Sequence, residues 1–167
     1  PVSRTETVCT ASDNQTKVCV KILQGESRMA ANNLLLGDAE VLERIEKLVP
    51  RIAAAAGEGF TPEGGMIYEK VGEEVDRDRH WWVQAEAAVG YFNLWEHFGA
   101  LEGLENSLHC WEFIKKELVD RQNGEWFWSL RADGSVNLDD DKAGFWKCPY
   151  HNGRMCMEII ERVESYK

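Results

Sequence analysis

Two short stretches of this sequence hold residue types that could move protons on a small polar molecule: W-W-V-Q-A-E at 81–86 and F-W-K-C-P-Y-H-N at 145–152. In the second, His151 follows Pro149 by two residues. Proline suits the first turn of a helix, because its φ is preset and the N–H it lacks would be unpaired there. His151 is therefore expected in the first turn of the last helix. Free N–H groups and the positive dipole end at that place disfavour imidazolium, so the ring is expected to stay neutral and able to accept a proton. Those are the properties of a general base. The competing reading is a buried histidine satisfied by a backbone carbonyl, and His80, His97 and His109 are assigned to that class. Trp146, five residues before His151, either covers a ligand or closes the helix end.

In the first stretch, Trp82 and Glu86 are four apart and share one face of a helix. Trp81 is rotated away and falls with Ala85, Ala88, Phe92 and Trp95, as packing residues do. A carboxylate on so apolar a helix is costly unless it meets a partner or a polar cavity. Periodicity leaves two readings open. Glu86 is a solvated edge residue beside two core tryptophans, or it belongs to a sugar site. In the second case an indole stacks on the apolar face of a pyranose and the carboxylate accepts its hydroxyl protons.

Helices must position both stretches. Residues 1–33 are polar and poorly periodic, with V-C-V-K-I-L (18–23) as a short strand. From Asp38, a suitable cap, apolar residues at 41, 42, 45, 48, 49 and 52 recur at helical spacing, with Pro50 as a bend or boundary and Gly57 and Gly59 as stops. The segment after it reads as turn, short extended piece and polar loop. The span 78–99 is the clearest helix, apolar nearly all round and closed by Gly99. The span 103–120 is more amphipathic, with Leu104, Leu108, Trp111, Ile114 and Leu118 on one side. An aromatic strand with an Asp133-Gly134 turn and an acidic loop follow. The last helix points Met155, Ile159, Ile160 and Val163 inward. The whole is all-α, with inner and outer helices in layers.

A chain of 167 residues holds one ordinary domain, and 44% hydrophobic with 29% charged residues is a globular composition. With 29 acidic against 19 basic residues the net charge is −10, so no basic field attracts nucleic acid or an anionic membrane. There is no apolar stretch of spanning length and no signal-peptide core at the start, so a cytoplasmic location is expected. The five cysteines are odd in number and lack a framework spacing, so reduced thiols are expected. Cys148 and His151 lack the second ligand pair of a zinc site, so no metal is expected. Seven tryptophans are many for this length, and large aromatics at such density pack or bind.

R-H-W-W-V-Q-A-E-A-A-V-G-Y-F-N, G-E-W-F-W-S-L-R-A-D-G-S-V-N and D-D-D-K-A-G-F-W-K-C-P-Y-H-N-G-R-M-C-M-E-I-I, in this order and spacing, resemble the C-terminal part of the cellobiose 2-epimerases, within the N-acylglucosamine 2-epimerase superfamily. The resemblance runs from about residue 35 to the end. It implies an (α/α)6 barrel, of which residues 35–167 form the C-terminal third to half, with short β-hairpin pieces at helix ends. It implies inversion at C2 of the reducing-end sugar of β-1,4-linked disaccharides, without a cofactor, through a cis-enediolate and a pair of acid/base histidines. His151 maps onto one of these. Glu86 and Trp82 map onto substrate-site residues, and Trp146 onto a stacking wall.

The pattern also breaks. The family's second histidine, in an upstream H-x-x-E motif, has no counterpart, since no histidine precedes His80. Residues 1–34 match nothing the family leads one to expect. The chain is therefore expected to be a fragment, inactive alone, with exposed barrel flanks that favour self-association. Alternatives are an N-acylglucosamine 2-epimerase or mannose-type aldose-ketose isomerase, a non-catalytic carbohydrate-binding remnant, and a glycoside hydrolase using Glu86 with an unidentified second acid.

Overall fold

The computed structural model describes residues 21–24 and 34–166. Contacts divide the chain into two compact units, Pro1–Leu48 and Val49–Lys167. In the first, β1 (Lys21–Gln24) and β2 (Leu34–Asp38) pair antiparallel with an irregularity after Ile22. Of the strand expected over 18–23, residues 18–20 lie outside the described residues, as do most of the polar, poorly periodic residues 1–33.

Helix α1 (Ala39–Gly57) begins where the periodicity starts. It runs through Pro50 instead of stopping there, and ends at Gly57. The loop beyond it is more regular than a polar loop. β3 (Glu69–Val71) and β4 (Glu74–Asp76) form a hairpin whose turn uses Gly72 at φ +60°. That conformation suits glycine because it has no Cβ to clash.

Helix α2 (Trp81–Phe98) is the apolar helix of the sequence reading, and Gly99 ends it in the left-handed conformation, its N–H bonding to Trp95 O. It starts three residues later than expected. Arg79–His80 forms β5, which pairs with β6 (Ser129–Leu130), so the aromatic segment docks directly onto the helix start. Trp81 N–H also donates to Trp128 O at 3.0 Å. The long aromatic strand is thus two paired residues plus single bridges, Val119 to Trp126 and Leu130 to Val136.

Helix α3 (Leu101–Phe113) lies antiparallel to α2. Ser107 Oγ donates to Ala88 O, and Gly103 lets the backbones approach so closely that a Cβ there would stand 2.7 Å from Tyr91 O. The expected extension to residue 120 becomes a π-helical turn over Ile114–Leu118, where Val119 N–H reaches back five residues to Ile114 O at 3.1 Å. Helix α4 (Tyr150–Glu164) opens at Pro149 as its spacing predicts. It runs parallel to α2: Glu86 meets Arg154, and further along Asn93 meets Arg162.

The core gathers Trp81, Ala85, Ala88 and Val89 of α2 with Cys110, Phe113, Ile114 and Leu118, closed by Trp126, Leu130 and Met155. Not every apolar face is used. Ile159 packs on this core, but Ile160 is 58% and Val163 45% exposed, which corrects the expectation that both point inward. Their periodicity is helical, yet the α4 side chains that pack against the core are Met155, Cys156 and Ile159. Leu108 likewise stays half exposed. Among the described residues, no helix is long and apolar enough to cross a membrane.

Candidate active site

The start of α2 and the start of α4 lie side by side, and this brings the two motifs together. His151 Nδ1 stands 2.8 Å from Glu86 Oε1, while Arg154 donates from Nη2 to Glu86 Oε2. The indole of Trp82 lies 5.8 Å from the imidazole, tilted by 41°, and Trp81 and Tyr150 approach the same ring edge-on at 6.3 and 4.9 Å. The His151 side chain keeps 31% and that of Glu86 37% of its surface. The cluster is walled by aromatic rings and open to solvent.

This fixes the chemistry available. A carboxylate can only accept, so the His151 nitrogen facing it carries the hydrogen. The other ring nitrogen, Nε2, is then the one with a lone pair to offer. Burial pushes the Glu86 carboxyl up, but hydrogen bonds from His151 and Arg154, with the guanidinium charge, outweigh it and hold the group below its ordinary value of 4.5. Glu86 is thus held ionised and accepts from the imidazole.

A pH experiment follows. Because the folded-state value lies below the unfolded one, the pairing stabilises the fold above about pH 4.5 and is lost as pH falls through the lower folded value. The urea stability difference between the parent chain and Glu86→Gln is expected to shrink between pH 6 and pH 3. A difference that stays constant with pH would show that the charge on Glu86 plays no part.

The remaining sequence candidates separate. Trp81 packs in the core, 3% exposed, as expected. Trp146 is 80% exposed and its ring contact is with Phe145, at 5.0 Å; it is not brought against His151 or Trp82. His80 is half-buried and stacks on Tyr68 at 4.1 Å, while Tyr68 meets Trp82 edge-on at 6.1 Å. His97 and His109 are exposed, not buried. Residue spacing missed two members of the cluster. Arg154 is one helical turn beyond His151, which was a usable signal. Tyr68 arrives from a loop, which was not. Beside Trp82 and Glu86 lies an apolar cavity of about 330 Å³, also lined by Ile52, Met66, Tyr68 and Tyr91.

Gln84, the polar residue within W-W-V-Q-A-E, faces away from this cluster and is fully buried. It accepts from Met66 N–H at 2.7 Å and donates to Met66 O at 2.8 Å and His80 O at 3.2 Å. This side chain ties the loop before Tyr68 to the helix that bears Trp82 and Glu86.

The chain is similar to several known proteins. The cellobiose 2-epimerase of Bacteroides fragilis is 62% identical over 128 residues, which cover 75% of this chain and 33% of that protein. The solved cellobiose 2-epimerase of Spirochaeta thermophila superposes with a TM-score of 0.66 at 36% identity, over 77% of this chain and 32% of that one. The chain therefore spans about a third of the length of the relatives it matches. A shorter stretch is similar to the mitochondrial heat shock 70 kDa protein of Solanum tuberosum, 45% identical over 69 residues, or 41% of this chain and 9% of that protein. The sequence profile of the N-acylglucosamine 2-epimerase family matches residues 29–153, three-quarters of the chain, and the chain belongs to that family.

Proposed function

We propose that this chain carries one acid/base half of a carbohydrate 2-epimerase site, acting on the reducing-end sugar of a cellobiose-like disaccharide. The observation that carries the reading is the His151–Glu86 pair, 2.8 Å apart beside the Trp82 indole. On the opened sugar, C2 bears a hydrogen next to the C1 aldehyde. Nε2 of His151 takes that proton, and the C2–H electrons move into the C1–C2 bond as the carbonyl oxygen becomes the enediolate oxygen. Imidazolium forms beside an ionised Glu86, which offsets its charge. Rotation about C2–C3 then presents the other face, and a second acid returns a proton to C2. Trp82 offers an indole face to the sugar, and Trp146 reaches it as a stacking wall if its loop folds over.

The family's second acid/base histidine has no counterpart upstream, since no histidine precedes His80, and this supports the reading of a portion of an (α/α)6 barrel. Exposed apolar residues on the helices, Ile52 at 64%, Leu101 at 69% and Ile160 at 58%, are the faces that the rest of such a barrel would cover. Left in water, they favour self-association. Loss of one acid/base group lowers a rate by roughly 100- to 10,000-fold, so the isolated chain is expected to be nearly inactive.

The test is deuterium incorporation at C2 of cellobiose in heavy water. The chain is assayed alone and mixed with the complementary two-thirds of the Bacteroides fragilis relative. Label at C2 together with a mannose-configured product in the mixture is the expected result. Binding without label would leave a non-catalytic sugar-binding remnant, and release of glucose would indicate a hydrolase; either overturns the proposal.

A further inference from the structure

Lysine is among the residues least often found fully buried, yet the Lys147 side chain is 1% exposed. It lies four residues before His151, at the end of the loop that leads into α4. All three of its donors are used. Nζ donates to Trp126 O at 2.5 Å, to Lys142 O at 2.8 Å and to Glu125 Oε1 at 3.2 Å. It also sits 5.4 Å from the centre of the Trp81 ring, the same indole that approaches His151 edge-on.

The receiving end is unusual as well. Glu125 holds φ +63°, the one non-glycine among the described residues with positive φ, a conformation costly for a residue with a Cβ. Its Oε1 also accepts from Asn152 Nδ2 at 2.7 Å. Asn152, the neighbour of His151 in the first turn of α4, is buried. Burial works against the Glu125 carboxylate, but the Trp126 N–H, Lys147 and Asn152 outweigh it and keep the group ionised below its ordinary range. A second lysine repeats the device: Lys142 Nζ donates to Asp120 Oδ2 at 2.6 Å and to Gly124 O at 3.0 Å. The loop 142–147 is thereby stitched to the turn 120–126 from both ends.

α4 itself lacks such a fixture at its start, since Pro149 provides no side-chain cap. The Lys147–Glu125–Asn152 chain reaches that first turn through Asn152 Nδ2. We propose that Lys147, acting through Glu125 and Asn152, is a positioning residue that holds the His151 imidazole in line with Glu86. The inference rests on the catalytic role assigned to His151 above. A buried ammonium is an expensive way to fill a core, but it fixes three acceptors from two segments at one point, which an apolar side chain cannot do.

The experiment reads the imidazole directly. In the parent chain, long-range proton–nitrogen correlation spectra are expected to show His151 with its hydrogen on Nδ1, protected from exchange by Glu86. Lys147→Met and Asn152→Ala are each expected to lose that protected resonance and to show a mixture of tautomers. In the complemented mixture, C2 exchange should fall by about 100-fold, the scale of a small misplacement of a reacting group. Asn152→Ala leaves the Lys147 seat intact, so it decides the matter if Lys147→Met does not fold. If both variants only melt earlier and keep the Nδ1 resonance, Lys147 is a structural residue and the proposal falls. The two readings fail separately. Loss of the resonance in variants of a chain that exchanges no label leaves the positioning role standing without the epimerase, whereas label exchange with an unmoved resonance does the reverse.

Discussion

Replacing His151 with glutamine is expected to abolish C2 deuterium incorporation in the complemented assembly, with a loss of roughly 100- to 10,000-fold. Glutamine keeps a donor for Glu86 at similar reach but has no lone pair that takes a carbon-bound proton at neutral pH. The fold should hardly notice, because the imidazole is partly exposed and, among the described residues, its polar contact is with Glu86. The companion Glu86→Gln should lose less, since it leaves the base in place and removes only the charge that offsets imidazolium. Circular dichroism and sugar affinity measured alongside separate chemistry from binding. A His151→Gln protein that exchanges label at the parent rate would remove this residue from the mechanism, and with it the reading of the whole cluster.

The largest effect on stability is expected from Gln84→Leu. The side chains are similar in volume, but leucine satisfies none of the three backbone groups that Gln84 engages at full burial. Stranding buried N–H and C=O groups costs about 1–3 kcal/mol each when a partner is removed. Met66 loses both of its bonds, so a loss of roughly 2–5 kcal/mol is expected. Urea unfolding monitored by tryptophan emission gives the figure directly. A change below about 1 kcal/mol would mean that water or a shifted loop replaces the glutamine, and that the segment before Tyr68 is not anchored by it.

These two residues also show what sequence alone could and could not supply. Helical spacing placed Trp82 and Glu86 on one face, Gly99 at a helix end and Pro149 at a helix start, because those are local rules of backbone geometry. It sorted Trp81 into the core for the same reason. It did not bring the two motifs together; only the parallel packing of α2 and α4 does that, across 65 residues. Gln84 carries no local signal of its anchoring role, since two of its three bonds go to Met66, on a loop without periodicity. Lysine is usually a surface charge, and nothing in the local pattern marks Lys147 as buried; the turn at 120–126 gives it its seat. Ile160 and Val163 mark the opposite limit. An apolar stripe says that a face prefers cover but not what provides it, and here it is Met155, Cys156 and Ile159 that α4 packs against the core.

The seam between α2 and α4 is built from alternating charges, Glu86, Arg154, Glu158, Arg162 and Glu96, whose side chains remain 17–37% exposed. Counterions reach them, and at a screening length of about 8 Å in physiological salt each pair adds little holding force. Such a joint decides how the two helices face each other more than how firmly they cling. The hydrocarbon beneath it carries the grip. High salt is therefore expected to leave the two helices together, since the apolar contacts beneath the seam do not depend on the screening of charge.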